Sequence, residues 1–347
     1  MSERLQQLLA ERPFLLADGA TGTNLFAMGL MSGDAPELWN FEHPERIEAL
    51  HRGWVEAGSD IILTNSFGGS SYRLKLHQKQ DQVREYNREA ARIARRIADA
   101  AGRPVVVAGS IGPTGELFEP LGALTPEAAV AAFAEQAAAL AEGGVDLLWI
   151  ETMSAKEEIE AAAAGAATTG LPFVTTMSFD TNGRTMMGLG PAELAGLAHG
   201  LSPQPLAYGA NCGVGAAELV AAIVNMSPVA EPDDVIIAKG NCGVPYFVEG
   251  QIRYDGTPEL MADYARLARD AGARIIGGCC GTTPVHIAAM RAALEAHVPG
   301  GRPTMSEIAE RLGKLTAGTE AGGPPGSEGQ AANRRAGRRR RDADAAF

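Results

Sequence analysis

Two adjacent cysteines between glycines are the most unusual chemical feature of the sequence. Cys279 and Cys280 lie in "IIGGCCGTT", in a chain of 347 residues with four cysteines. The other two, Cys212 and Cys242, each follow an asparagine. Thiolates are nucleophiles and soft metal ligands. A cytoplasmic protein of this size is not expected to carry a disulfide framework, so the cysteines favour metal ligation or catalysis.

Short apolar runs alternate with longer Ala-, Glu- and Arg-rich stretches of helical spacing. Runs rich in Val, Ile and Leu are typical of buried parallel strands. About eight strand–helix pairs over roughly 300 residues predict an α/β fold, a (β/α)8 TIM barrel covering residues 1–315. The alternative is an open doubly wound sheet, whose glycine fingerprint "GATGTN" matches poorly. The predicted strands are 13–19, 60–66, 104–110, 145–152, 172–178, 205–212, 235–241 and 273–280.

Helix boundaries are marked by cap residues. A Thr at the N-cap followed by Pro at the first helical position predicts helix starts. The pair Ser154 and Glu157 predicts a capping box, and Gly143–Gly144 predicts a helix end. The Thr-Pro pairs are at 125–126, 257–258 and 283–284.

Barrel enzymes carry their active sites at the carboxyl ends of the strands, and the unusual residues of this chain fall there. Cys212 ends the sixth predicted strand, and Cys279 and Cys280 end the eighth. Three thiolates from these strands could converge on one ion and leave its fourth position open, as in a catalytic zinc site. The flanking glycines let consecutive cysteines reach the same ion. Further polar residues at predicted strand ends are Asp18, Thr64, Asn65, Ser66, Glu151, Asn211 and Asn241.

Composition narrows the class of protein. The formal net charge of −12 argues against nucleic-acid binding by the barrel. No apolar run approaches the roughly 20 residues of a membrane span, and the charged N-terminus lacks a secretory apolar region, so we expect a cytoplasmic protein. The Gly-, Pro- and Arg-rich segment 316–347 is predicted to be disordered. The sequence leaves a homo-oligomer open.

Several ordered motifs resemble the homocysteine S-methyltransferase family, over roughly residues 12–298. "LLADGATGTNL", "AGSDIILTNSF", "AGSIGPTG" and "IETM" resemble the family's first four strands with their turns. "GANCGVG" and "GGCCGTTPVHI" resemble its two metal-binding motifs. Ordered matches of this kind are far more specific than any single motif.

The resemblance implies a zinc-dependent methyl transfer to homocysteine that gives methionine. Cysteines matching Cys212, Cys279 and Cys280 would hold Zn²⁺, with the homocysteine thiol as fourth ligand. Residues matching Asp18, Gly19, Thr64 and Glu151 would surround the amino-acid part of homocysteine, with Asp18 and Glu151 as the candidate catalytic residues. Physical chemistry agrees, because carboxylates can bind the substrate ammonium and the N–H groups of the glycine-rich turn 19–22 its carboxylate. Asn211 and Trp39 complete the candidate substrate contacts.

The methyl donor is expected to arrive as a free small molecule. The chain is short for folate- or cobalamin-binding modules after the barrel, and it lacks a D-x-H-x-x-G signature. The sequence looks most like bacterial betaine–homocysteine methyltransferases, which favours betaine; S-methylmethionine or another sulfonium is the alternative. A quaternary ammonium is attracted by aromatic faces. Thr152 and Gly68 stand where animal betaine enzymes carry tyrosines, and the candidate aromatics are Trp39, Phe67, Tyr72, Phe179, Tyr246 and Phe247.

The cysteines also allow other interpretations. Cys242 replaces a small apolar residue of the family and is expected to be a small buried thiol; a fourth metal ligand in the substrate-free state is the alternative. A zinc-dependent barrel hydrolase would use the open position to activate water, but such sites usually take His and carboxylate ligands. A non-catalytic barrel that senses zinc or redox state through Cys279 and Cys280 is the hypothesis from another class.

Overall fold

The fold is seen in a computed structural model, which describes residues 3–248 and 251–315. Within these residues, eight parallel strands form one sheet in the order β1-β10-β7-β6-β5-β4-β3-β2. A bridge between Ala17 and Ile61 joins the two edge strands and closes the barrel. The barrel strands are β1 Leu15–Leu16, β2 Ile61–Leu63, β3 Val106–Ile111, β4 Leu147–Met153, β5 Phe173–Met177, β6 Ala207–Cys212, β7 Ile236–Gly240 and β10 Ala273–Gly278.

Helices surround the barrel because each strand is followed by an amphipathic or apolar helical stretch that covers it. This confirms the predicted (β/α)8 barrel, and each predicted strand overlaps an observed one, with β3 and β4 ending one residue later than predicted. No helix in the described part of the chain is long and apolar enough to cross a bilayer. The helices are α1 Arg4–Glu11, α2 Gly22–Ala27, α3 Trp39–Glu42, α4 Pro44–Glu56, α5 Ser71–Leu74, α6 Val83–Asp99, α7 Pro126–Gly143, α8 Lys156–Ala167, α9 Pro191–Gly200, α10 Ala216–Met226, α11 Pro258–Asp270, α12 Pro284–Glu295 and α13 Met305–Leu312.

Helix caps follow the sequence with one exception. Thr125 and Thr257 accept hydrogen bonds from the first turns of α7 and α11, and Gly144 ends α7 in the left-handed region. The predicted capping box of Ser154 and Glu157 is wrong. Strand β4 continues to Met153, so α8 begins at Lys156, and its N-cap has no side-chain hydrogen bond.

The barrel interior is apolar near the amino-terminal ends of the strands and charged near their carboxyl ends. Helix α1 closes the amino-terminal end by packing Leu5 and Leu8 against inward-facing strand residues such as Trp149 and Ile237. Towards the carboxyl ends, the interior instead contains the buried charged residues Asp18, Glu151 and Lys239. Buried charges are costly unless they are paired, which marks this end as the functional one.

Two aspartates reinforce the seam where the barrel closes. Asp60 accepts a hydrogen bond from the backbone N–H of Leu16 (2.9 Å) near the amino-terminal end. Asp18 accepts one from the backbone N–H of Leu63 (2.7 Å) near the carboxyl end. Because β1 has just two residues, these carboxylates supply acceptors that a longer strand would have provided.

The connection from β7 to α11 holds an antiparallel hairpin that the sequence analysis did not predict. Its strands are β8 Pro245–Val248 and β9 Gln251–Tyr254. The hairpin returns the chain to Gly256, whose N–H bonds the carbonyl of Cys242 (3.1 Å). The predicted disordered segment 316–347 lies outside the described residues.

Candidate metal centre and substrate site

The three cysteines predicted to share a metal ion lie together at the carboxyl ends of the strands. The sulfur atoms of Cys212, Cys279 and Cys280 all lie within 4.8 Å of one another. Cys212 is the last residue of β6, and the other two directly follow β10. All three are partly exposed, so the cluster can be reached from solvent. A set of three thiols at this spacing could hold a metal ion.

The backbone around the cluster is held by Asn241. Its side-chain Nδ2 donates to the carbonyl of Gly213 (2.7 Å), and its Oδ1 accepts from the N–H of Cys280 (3.0 Å). One amide therefore bridges the residue after Cys212 and the Cys279–Cys280 pair. Cys212 itself has a φ of +60°, a left-handed conformation that is rare outside glycine. Such a conformation is kept where the surroundings enforce it.

Hydrogen bonding within the cluster of Cys212, Cys279 and Cys280 favours the thiolate form of one member, Cys280. Hydrogen bonding with Cys279 and Cys280 raises the pKa of the Cys212 thiol. Hydrogen bonds from Cys212 and Cys279 hold the pKa of Cys280 well below its ordinary value. Thiolate is the form that ligates metals, so this arrangement suits a cation.

Cys242 is buried and lies apart from the three-sulfur cluster. Its thiol donates to the carbonyl of Gly256 (3.3 Å), and its backbone N–H donates to the carbonyl of Cys280 (2.8 Å). Burial raises the pKa of this thiol to about 12. The expectation of a small buried thiol is confirmed, and the geometry makes Cys242 a packing neighbour of the cluster.

Asp18 is a buried carboxylate at the end of the first strand. One oxygen accepts from Leu63, and the other lies 3.1 Å from the ammonium nitrogen of Lys239. Burial raises the pKa of Asp18 above its usual value, and the Lys239 charge and the Leu63 N–H offset only part of this increase. The residue can still accept hydrogen bonds from a ligand, because each carboxylate oxygen has more than one acceptor site.

Glu151 is the second buried carboxylate, and it belongs to β4. Its Oε1 accepts a hydrogen bond from the hydroxyl of Ser110 (2.5 Å) on β3. Burial raises its pKa to about 7, with the Cys279 and Asp18 charges acting in the same direction and Lys239 against it. A carboxylate with such a pKa gains from a nearby cation, so Glu151 is well suited to bind an ammonium group.

The other predicted substrate contacts have defined positions. The hydroxyl of Thr64 bonds the hydroxyl of Ser66 (2.6 Å) and accepts from the N–H of Ser110 (3.0 Å). Its side chain therefore fixes the ends of β2 and β3 under Glu151. The carbonyl of Gly19 accepts from Lys239 (3.3 Å). A Cβ at Gly19 would lie 2.7 Å from the Trp54 ring, which explains the glycine.

Trp39 lies in a segment that braces the loop after β2. It is 5% exposed, its ring meets His43 edge-on, and the Arg46 guanidinium lies 4.7 Å from its centre. Next to it, Asn40 donates to the carbonyl of Asn65 (2.9 Å). These contacts position the strand-end loop; the prediction that Trp39 touches a substrate stays a prediction.

Sequence reasoning missed three residues beside the site. Lys239 lies in an otherwise apolar strand, and Ser110 is the last residue but one of another, so the signal was a polar residue in a buried run. Tyr254 ends the hairpin, and burial together with the neighbouring Cys280 raises the pKa of its hydroxyl. Its ring packs against Gly281, where a side chain would collide with it. The hairpin therefore places an aromatic residue next to a candidate metal ligand.

A closed barrel with three clustered thiols at its carboxyl end is a scaffold for a thiolate metal site. The family model described as homocysteine S-methyltransferase matches residues 15–294. The chain belongs to this family, which confirms the resemblance seen in the sequence.

Solved structures and curated sequences similar to this chain include other homocysteine methyltransferases and methionine synthases. The homocysteine methyltransferase MmuM from Escherichia coli in its metallated form is 28% identical, with a TM-score of 0.69 over 83% of this chain and 99% of that one. Methionine synthases from Mycobacterium tuberculosis and Mycobacterium leprae are 30% and 29% identical over 307 residues. The chain spans 25% of the length of these synthases. A methyltransferase from Methanosarcina mazei, 14% identical with a TM-score of 0.52, shares the fold.

Proposed function

We propose that the protein is a zinc-dependent methyltransferase that moves a methyl group from a small onium donor to the thiol of L-homocysteine and releases methionine. The observation that carries the proposal is the cluster of Cys212, Cys279 and Cys280, with sulfurs within 4.8 Å of one another. Two buried carboxylates, Asp18 after β1 and Glu151 in β4, lie at the same end of the barrel. Thiolates beside ammonium-binding carboxylates suit an amino-acid thiol.

The donor set fits zinc. Three soft thiols suit zinc better than magnesium or calcium, which prefer oxygen ligands. Three protein ligands are the usual number in catalytic zinc sites, whereas structural sites use four. Cys212, Cys279 and Cys280 would hold the ion, which would keep a substrate thiol in its thiolate form.

The remaining residues orient the two reactants. Asp18 and Glu151 bind the ammonium of homocysteine, and the N–H groups of the turn 19–22 bind its carboxylate. Thr64 and Asn211 keep the strand ends in place. The substrate sulfur then attacks the methyl carbon of the donor. A sulfur–carbon bond forms while the donor's nitrogen–carbon bond breaks, and the electron pair of that bond stays on the donor nitrogen.

We propose glycine betaine as the donor, with dimethylglycine as the second product. Cation–π attraction needs an available aromatic face. Phe67 is 38% exposed in the loop after β2 and covers Gly112, where a Cβ would lie 2.6 Å from the ring. Tyr246 on the hairpin is 44% exposed. These rings are better placed to receive a quaternary ammonium than Trp39, which is engaged by His43 and Arg46.

The likeness to methionine synthases supports a second candidate for the donor. The chain spans a quarter of the length of those proteins, and the second candidate is a methyl donor held by a further protein module. The acceptor half of the reaction would be the same, with the cysteine cluster and the carboxylates in the same roles.

A donor panel tests the proposal. Zinc-loaded full-length protein is mixed with homocysteine and, separately, betaine, dimethylglycine, S-methylmethionine or S-adenosylmethionine, and methionine is measured with and without a chelator. We expect methionine from betaine and its loss with chelator. If methionine formed with a sulfonium compound and not with betaine, the donor would be the sulfonium. Absence of methionine with all four would exclude a free donor among them, and chelator-insensitive turnover would contradict the metal role.

A further inference from the structure

Lys239 is an ammonium group inside the barrel that the proposed chemistry does not yet use. It lies on β7 and is 3% exposed. Its Nζ lies 3.1 Å from Asp18 Oδ1 and 3.3 Å from the carbonyl of Gly19. Burying a lysine is costly unless its charge is compensated, so its position at the floor of the site calls for a function.

The barrel keeps room for this side chain. Gly277 of β10 pairs with Lys239 in register. A Cβ at Gly277 would lie 3.1 Å from Lys239 Cγ and 2.9 Å from the Cβ of Ala17. The glycine therefore lets the lysine stem rise between β7 and β1 towards Asp18.

Lys239 also balances the charges of the site. Asp18 and Glu151 are both buried, and two carboxylates in one site disfavour each other's ionised form. Lys239 lies against Asp18 and reduces this repulsion, so that both carboxylates can occupy one site. Asp18 is held on both sides, by Lys239 and by the N–H of Leu63 at 2.7 Å.

We propose that Lys239 is a positioning residue that holds Asp18 as a fixed, ionised receptor for the α-ammonium of the thiol substrate. It thereby sets a preference for amino-acid thiols over thiols that lack the amino group. This inference rests on the proposed function, since it concerns recognition of homocysteine. In this role Lys239 acts through Asp18 and does not itself bind the substrate carboxylate.

Three thiols distinguish these roles by calorimetric binding to the zinc-loaded full chain without donor. They are L-homocysteine, homocysteamine (which lacks the carboxylate) and γ-mercaptobutyrate (which lacks the amino group). In Lys239→Met we expect binding of the first two to weaken about tenfold, the factor that about 1.4 kcal/mol gives, and that of γ-mercaptobutyrate to stay within about twofold. Lys156→Met is the matched control, because Lys156 is exposed in α8 and its replacement removes the same single charge. This variant should bind all three thiols as the wild-type protein does.

A second variant keeps the test valid if Lys239→Met fails to fold. Asp18→Asn with Lys239→Met replaces the buried pair by neutral side chains of similar size, and circular dichroism and Tm check its fold. In the Asp18→Asn background, Lys239→Met should cause no further loss of homocysteine binding, and zinc content should stay constant.

The outcomes separate this inference from the proposed function. Equal weakening of γ-mercaptobutyrate and homocysteine in Lys239→Met would show that Lys239 binds the carboxylate or shapes the site generally. An additional tenfold loss in the double variant over Asp18→Asn would likewise overturn the inference. If the wild-type protein binds none of the three thiols, the proposed function itself fails. If it binds homocysteine and Lys239→Met binds it equally well, this inference alone fails.

Discussion

Asn211 and Thr152 make two hydrogen bonds with each other across the mouth of the barrel. The N–H of Thr152 donates to Asn211 Oδ1 (2.8 Å), and Asn211 Nδ2 donates to the Thr152 hydroxyl (2.7 Å). Thr152 directly follows Glu151, and Asn211 directly precedes Cys212. One asparagine therefore links the candidate ammonium receptor to the candidate metal ligand. Thr152 has a φ of +63°, a strained conformation that these bonds hold in place.

Asn211→Ala should impair both halves of the site. Residues that orient metal ligands typically contribute 10–100-fold to metal affinity or activity, so we expect kcat/KM for homocysteine to fall by about that factor. Zinc affinity should also fall, as measured by competition with a chromogenic chelator. Thr152→Val keeps the backbone bond and loses the hydroxyl acceptor, so its effect should be smaller. Equal effects of the two variants would contradict this role for the Asn211 amide.

The cysteines should fall into two groups when zinc is measured. Cys212→Ala, Cys279→Ala and Cys280→Ala each remove one of three clustered sulfurs, and we expect each to purify with little zinc. Cys242→Ala should retain zinc, because its thiol bonds the carbonyl of Gly256 instead. Elemental analysis of dialysed protein gives the comparison. Loss of zinc from Cys242→Ala in a folded protein would show that the ligand set is wrong.

Ionised Glu151 should lower the stability of the folded protein while it improves the binding of homocysteine. Burial raises its pKa from 4.5 to about 7, so the folded state binds the proton more tightly than the unfolded state. The stability from protonated Glu151 is present below about pH 4.5 and lost as the pH rises through about 7. By about pH 8 the cost of ionised Glu151 is on the order of 3 kcal/mol.

Glu151→Gln should therefore raise Tm at about pH 8 and lose that advantage near about pH 5. The same variant should raise the KM for homocysteine about tenfold or more, since an amide does not pair with an ammonium. Wild-type binding of homocysteine should weaken below about pH 7, while that of γ-mercaptobutyrate should change less. A glutamine variant that is less stable at both pH values would refute the assignment.

Gly277 should resist even a methyl group. Gly277→Ala places a Cβ 2.9 Å from that of Ala17 and 3.1 Å from Lys239 Cγ. Overpacking of this kind typically costs about 1–3 kcal/mol, and homocysteine binding should weaken as Lys239 moves. Gly196→Ala in α9 is the control, because nothing lies within 4 Å of its Cβ position. Chemical denaturation compares the two; equal stability would contradict the packing at Lys239.

Much of this site could be predicted from the sequence because a parallel barrel brings all strand ends to one face. Apolar runs rich in Val, Ile and Leu located the strands, and the residues at or just after their carboxyl ends, Cys212, Glu151 and Cys279, lie on that face. The preference of thiolates for soft metal ions then favoured zinc.

The remainder depends on tertiary contacts that leave no local signal. The pairing of Lys239 with Asp18 joins residues 221 positions apart (239 − 18), and the apolar strand around Lys239 gives no partner. The hairpin that carries Tyr254 interrupts the strand–helix alternation and was not predicted. Ser154 failed as a cap because β4 continues to Met153, which the capping-box pattern cannot reveal.

The most direct test of the account is X-ray absorption at the zinc edge of the reconstituted full chain, with and without homocysteine. Three protein thiolates and an open position predict three sulfur neighbours, at about 2.3 Å, and a fourth once homocysteine is added. Four sulfurs before homocysteine is added, or no change on its addition, would contradict the account.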